Sequence, residues 1–209
     1  MITYGTESMP ESLLLKLRAA FPKTRLLQTF GTSETGIAQT SSRSSDSLEI
    51  KIDGPNTQYK IVEGELWLKS KTQVMGYLNA SMESFTEDGW FKTGDLVEEV
   101  KNGYLKIKGR AKEIINVGGE KVLPSEVESI VLEIEGVSDC TAYGAKNAIT
   151  GQMVAIQIVL EADMDKKKAK SFIRKYCKQK LDSYKVPVKF EFVDQTNFSE
   201  RFKKKRILE

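Results

Sequence analysis

Residues 90–119 read WFKTGDLVEEVKNGYLKIKGRAKEIINVGG, and no other stretch narrows the possible folds as far. Short alternating segments at 94–100 and 104–108 flank Asn102 and Gly103, a pair that favours the tight turn of a two-stranded hairpin. Gly109 and the doubled Gly118 and Gly119 interrupt the run again, so short strands and turns are expected here. The same run collects polar chemistry. Asp95 follows a Thr-Gly turn, Arg110 follows a glycine, and Lys112 comes two places later. A carboxylate and a guanidinium on neighbouring turns suit a ribose, one accepting from vicinal hydroxyls and the other donating to their oxygens. Taken singly, Asp95 is as well read as a turn-capping carboxylate, Arg110 and Lys112 as exposed charges, and Gly118 and Gly119 as a hairpin turn.

Upstream, FGTSETG at 30–36 places a hydroxyl and a carboxylate in a glycine-flanked turn, a combination that suits phosphate and magnesium. Ser8 and Glu11 form a capping-box pair that predicts a helix over 9–20, with Leu13, Leu14, Leu17 and Phe21 on its apolar face. A strand at 25–30 follows. A helix, a strand and a loop do not make a domain, so residues 1–47 read as the end of a larger α/β subdomain. The Ser/Thr-rich stretch 40–47 reads as a loop. Strands at 48–52, 58–62, 65–69, 94–100 and 104–108 then predict a small antiparallel β-barrel or distorted sheet over 48–109.

Residues 110–209 read as a separate α+β domain. Strands at 114–117 and 121–123 flank the double glycine, and Ser125 with Glu128 predicts a capped helix ending at Gly136. Strands at 137–145 and 153–160 follow, joined by a turn over 147–151. Asp165 opens a helix with Phe172, Ile173, Tyr176, Cys177 and Leu181 facing inward, and 188–193 makes a last strand. The fold class is α+β.

Composition removes several functions. The chain has 209 residues and no histidine, which excludes His-based triads and His-ligated metals. Its 32 basic and 29 acidic residues give a net charge of only +3, so no global field calls for nucleic acid. Cys140 and Cys177 lack CxxC spacing and read as buried thiols of a reducing, cytoplasmic setting. No apolar run approaches the ~20 residues of a membrane span. The basic tail FKKKR reads, by itself, as a solvated chain end.

In this order, the motifs resemble the adenylate-forming superfamily of acyl- and aryl-CoA synthetases, nonribosomal peptide adenylation domains and beetle luciferases. FGTSE at 30–34 is similar to the family's aromatic-Gly-x-Thr-Glu, with Ser33 in place of threonine. GELWLKSKTQVMGY, WFKTGD and GRAKEIINVGGEKVLPSEVE resemble its later motifs. The family activates a carboxylic acid with ATP to an acyl-adenylate and then passes the acyl group to CoA or a phosphopantetheine carrier. The resemblance implies that Glu34 holds Mg2+, Ser33 the phosphate, Phe30 and Gly31 the adenine side of ATP or AMP, and Asp95 with Arg110 the ribose. It makes Lys112 a hinge and sets Gly118 and Gly119 along the tunnel for the thiol. The tail SERFKKKR resembles the family's Thr-x-x-Gly-Lys-x-x-Arg pattern, with Ser199 for threonine, Lys203 for the catalytic lysine, Arg206 for the arginine, and Phe202 where glycine is expected.

The family's Gly/Ser/Thr-rich phosphate loop has no counterpart in residues 1–29. The chain is therefore expected to be the C-terminal part of such a ligase, inactive without the missing N-terminal part. Two other readings stay open. One is an adenylation domain that loads a carrier, and the other is a non-catalytic nucleotide-binding module that kept the fold.

Overall fold

Pro10 fixes where the first helix starts. It holds an extended ψ of 139° and is the N-cap of α1 (Glu11–Ala20), which follows strand β1 (Ile2–Tyr4). The expected capping box does not form: no side chain caps α1, and the Ser8 amide donates to Glu7 instead. Throughout, the computed structural model describes residues 1–161, 164–200 and 203–206. β1 pairs in parallel with β2 (Leu26–Gln28). The expected strand over 25–30 thus ends at Gln28, and a separate antiparallel hairpin follows, β3 (Phe30–Thr32) and β4 (Gly36–Ala38).

A two-stranded sheet is too narrow to cover the helix's apolar face. Leu14 is fully buried, but Leu13, Leu15 and Phe21 remain 44%, 51% and 47% exposed, so the expected core role of Leu13 and Phe21 is not realised. The Ser/Thr-rich stretch, expected as a loop, forms strand β5 (Thr40–Ser42). Its hydroxyls explain why: Thr40 donates to the Gln28 carbonyl, while Ser42 and Ser45 accept from the Gln28 and Leu26 amides. Those bonds satisfy backbone groups of β2 that would otherwise lack partners.

β5 opens a six-stranded antiparallel sheet with β6 (Glu49–Ile52), β7 (Thr57–Val62), β8 (Glu65–Ser70), β9 (Phe91–Val100) and β10 (Tyr104–Arg110). The spatial order is β5-β6-β10-β9-β8-β7. Of the two expected forms, the open sheet is the one found among the described residues. Inward residues Ile50, Ile52, Leu66, Leu68, Val97 and Leu105 form its core together with Phe30 and Ala38 from the hairpin. Residues Met1–Ala111 make one compact unit, and Lys112–Glu209 make a second.

The second unit starts with the hairpin β11 (Ile115–Val117) and β12 (Glu120–Val122), then α2 (Pro124–Val131), β13 (Val137–Asn147), β14 (Gly151–Leu160), α3 (Lys166–Lys180) and β15 (Lys189–Phe192). β13 and β14 form a long antiparallel pair, and β15 runs parallel to β14. Val127, Val131, Ile156, Ile158, Ala169, Ile173 and Cys177 lie in one core. Asp165 caps α3 as expected, accepting from the Lys167 and Lys168 amides.

Two expectations fail here. The helix over 125–136 is shorter, ending at Val131, and no side chain caps it. Phe172, expected to face inward, is 57% exposed, and Ala169 fills the interior position. Both thiols are buried. Burial, and then the Glu128 carboxylate, raises Cys140 well above the ordinary thiol range, and burial pushes Cys177 up to about 11, which makes both unreactive. Among the described residues, no helix is long and apolar enough to cross a membrane.

Candidate functional site

Antiparallel pairing of β9 and β10 puts Asp95 directly opposite Arg110. A register shift between Ile107 and Gly109 is what aligns them, since the pairing on its other side (Ile107 with Val97) would set Arg110 opposite Gly94. The Arg110 Nε donates to Asp95 Oδ1 at 2.9 Å, and its Nη1 donates to the Thr93 carbonyl at 2.8 Å. Asp95 is only 6% exposed, whereas the Arg110 side chain is 36% exposed. The carboxylate is held by its surroundings. The Thr93 hydroxyl donates to the Leu66 carbonyl at 2.6 Å and accepts from the Asp95 amide at 3.0 Å. The Gly94 amide donates to Glu65 Oε1 at 2.8 Å. Two charged groups thus share one rigid corner, which is the arrangement a diol-binding pair needs.

Ser33 and Glu34 lie together in the turn between β3 and β4. Thr35 steadies this turn, its amide donating to the Thr32 hydroxyl at 3.1 Å. Glu34 accepts from the Tyr77 hydroxyl at 2.9 Å, and its carbonyl accepts from the Val74 amide at 2.8 Å. Burial and then the bond to Glu34 raise the Tyr77 phenol above its ordinary range. Asp95 lies beside the first residue of β8, and Glu34 bonds to the segment after its last.

Gly31 owes its place to packing, because a Cβ there would lie 2.8 Å from the Ile37 Cα. Phe30, expected on the adenine side, is 7% exposed and belongs to the sheet core.

In the second unit, Lys112 is exposed in a 3-10 turn over Ala111–Glu113, at the first residue of that unit. Gly118 and Gly119 join β11 to β12 with φ values of 62° and 97°, a left-handed pair that side-chain-bearing residues resist. A Cβ on Gly119 would meet nothing within 4 Å, so backbone conformation accounts for this glycine where crowding does not.

The tail folds back on the domain. Ser199 closes it into a small hairpin, its amide donating to the Lys203 carbonyl and its hydroxyl accepting from the Lys203 amide. Alternate residues then turn inward. Lys204 donates to Asp139 Oδ1 at 2.7 Å and to the Cys140 carbonyl at 2.6 Å, and Asp139 also accepts from Thr196. Arg206 binds Glu128 through two bonds of 2.9 Å and Glu113 through one of 3.2 Å. Lys203 and Lys205 face outward and are exposed. Phe202 lies outside the described residues.

Thr93, Glu65 and Tyr77 were not singled out from the sequence. Glu65 and Tyr77 are the second and last residues of GELWLKSKTQVMGY, and that resemblance is the signal for them.

Comparison with known proteins adds independent findings. Residues 126–203 match the family described as AMP-binding enzyme C-terminal domain. The chain is similar to acyl-CoA synthetase 7 of Caenorhabditis elegans, 30% identical across 93% of this chain and 38% of that protein. It is 35% identical to 2-succinylbenzoate–CoA ligase of Bacillus licheniformis, across 70% of this chain and 30% of that protein. Among solved structures, it resembles o-succinylbenzoate CoA synthetase from Bacillus subtilis in complex with its acyl-adenylate intermediate. That match has a TM-score of 0.82 and 27% identity, covering 98% of this chain and 44% of the other. The chain spans less than half the length of each of these relatives.

Proposed function

Because the chain belongs to the adenylate-forming superfamily and matches its C-terminal portion, we propose that it is part of an ATP-dependent acid–thiol ligase. A substrate carboxylate attacks the α-phosphorus of ATP, pyrophosphate leaves, and an acyl-adenylate forms. The thiol of CoA then attacks the acyl carbon and AMP departs. The observation that carries this reading is the Asp95–Arg110 pair, a buried carboxylate and a partly exposed guanidinium on one corner. Asp95 would accept from the ribose hydroxyls, and Arg110 would donate to their oxygens.

Glu34 would serve the phosphate end together with the Ser33 hydroxyl. Mg2+ commonly takes one or two carboxylates and completes its shell with substrate phosphates and water, so the lone Glu34 fits it. When bound, the ion would neutralise charge on the phosphate oxygens. Lys203 would stabilise charge that develops on nonbridging oxygens during adenylation. The outward direction of its side chain favours it over Lys204, whose ammonium is already committed to Asp139. Lys112 would be the hinge, and the turn at Gly118 and Gly119 would face the thiol.

ATP–pyrophosphate exchange by the full gene product, screened against fatty and aryl acids, tests the assignment. Acid-dependent exchange is expected. A folded protein that binds nucleotide but exchanges with no acid would favour the non-catalytic alternative. In the same assay, Lys112→Pro should spare exchange while slowing thioester formation. Equal loss of both steps would count against the hinge.

A further inference from the structure

We propose that the outer face of α3 is a docking surface for anionic lipid, holding the protein on a membrane without crossing it. The helix reads KKKAKSFIRKYCKQK over Lys166–Lys180, eight cations in 15 residues with no carboxylate. All eight are exposed. Among the described residues, only Lys180 of the eight is in an ion pair, with Glu133. The whole chain carries only +3, so outside this helix acidic side chains outnumber basic ones. The charge is a local patch, which distinguishes it from a uniformly basic surface.

These cations work against the helix that bears them. Lys166, Lys167 and Lys168 sit at the positive end of the helix dipole, where cations are disfavoured. Lys166 with Lys170, Lys170 with Arg174, and Arg174 with Lys178 are like-charged pairs at i,i+4 spacing, each mildly destabilising. Asp165 at the N-cap offsets part of this. Stability of the isolated fold gives no reason for such a face, whereas an anionic partner does.

The form of the partner follows from the shape. Lys167, Lys170, Ser171, Arg174, Lys175 and Lys178 line an open stretch of surface, all of it from α3. One helix supplies one wall. Such a surface suits an extended anionic plane better than an enclosed small anion. Phe172, 57% exposed, stands between Lys168 and Lys175 in sequence spacing and stacks on Tyr176 at 6.3 Å. On the helix Phe172 neighbours Lys168 and Lys175 and lies on the opposite flank from Lys170 and Arg174, so its ring meets the boundary between headgroups and acyl chains at the edge of the basic face. A buried core of Ala169, Ile173 and Cys177 ties the helix to its domain, so binding needs no unfolding. The inference does not depend on the ligase reading.

Cosedimentation of the full chain with vesicles tests it. Binding is expected to vesicles of phosphatidylcholine mixed with phosphatidylserine and not to phosphatidylcholine alone, weakening as salt shortens the screening length. The variant Lys170→Gln/Arg174→Gln/Lys175→Gln/Lys178→Gln should bind about 100- to 1,000-fold more weakly, at about three- to fivefold per cation. Its circular dichroism should match wild type, because all four side chains are exposed. Phe172→Ala should lose about tenfold in a manner that salt does not change. Equal partition onto both vesicle types would overturn the proposal. So would tighter binding to a single-stranded oligonucleotide of equal phosphate content, or undiminished vesicle binding by the fourfold variant.

Discussion

Arg206→Met is expected to cost the second unit about 3–5 kcal/mol of stability, the range for removing one member of a buried ion pair. The guanidinium is 8% exposed and Glu128 4%. Both carboxylate oxygens of Glu128 accept from Arg206, and Oε1 also accepts from the Ala142 amide at 2.9 Å. Removing Arg206 leaves Glu128 buried with that amide as its remaining described partner, and Glu113 loses its bond as well. A carboxylate in that position lacks most of the compensation for its lost hydration. Urea unfolding reads the loss directly. Lys180→Ala is the internal control, because the Lys180 side chain is 43% exposed and an exposed pair contributes at most about 1 kcal/mol. A drop for Arg206→Met no larger than the control would mean that the triad does not hold the tail.

The second large effect separates neighbouring lysines. Lys203→Ala should lower adenylation by the full gene product about 10²–10³-fold, the usual consequence of losing one charge-stabilising donor, and leave stability unchanged. Lys204→Ala should do the converse. Its ammonium bonds Asp139 and the Cys140 carbonyl, and its side chain is only 11% exposed. Its loss should therefore appear in urea unfolding more than in turnover. The physical basis is the twofold alternation of an extended chain: Lys204 and Arg206 point in, so Lys203 and Lys205 point out. A Lys203→Ala protein with undiminished exchange, alongside an inactive but stable Lys204→Ala protein, would reverse the assignment.

Local signals were readable from sequence, and long-range ones were misread. Asp95 and Arg110 stood out because each sits beside a glycine turn. Their mutual contact needed the β-bulge before Gly109, which no residue pattern announces. Thr93 and Glu65 act through backbone groups of neighbouring strands, so their roles depend on register. Ser125 and Glu128 have the spacing of a capping box, yet Glu128 turns to a partner 78 residues away. A buried guanidinium competes better for a carboxylate than an exposed helix amide does. Leu13, Phe21 and Phe172 have helical spacing for a core, but periodicity cannot tell whether the facing layer is wide enough to cover them. Phe30 reads from the resemblance as a stacking ring, and its membership of the sheet core depends on strands far along the chain that periodicity does not reveal.

The central claim is that Asp95 and Arg110 grip the ribose of an adenine nucleotide. The direct measurement is calorimetric titration of the full gene product with AMP and with 2′,3′-dideoxy-AMP, in wild type and Asp95→Ala. Saturable binding of AMP is expected. Loss of both hydroxyls should weaken it about tenfold or more, as for a charge-assisted hydrogen bond worth about 1.5–3 kcal/mol. Asp95→Ala should produce a similar loss with AMP and no further loss with the dideoxy analogue. Equal affinity of the wild-type protein for the two nucleotides would contradict the account.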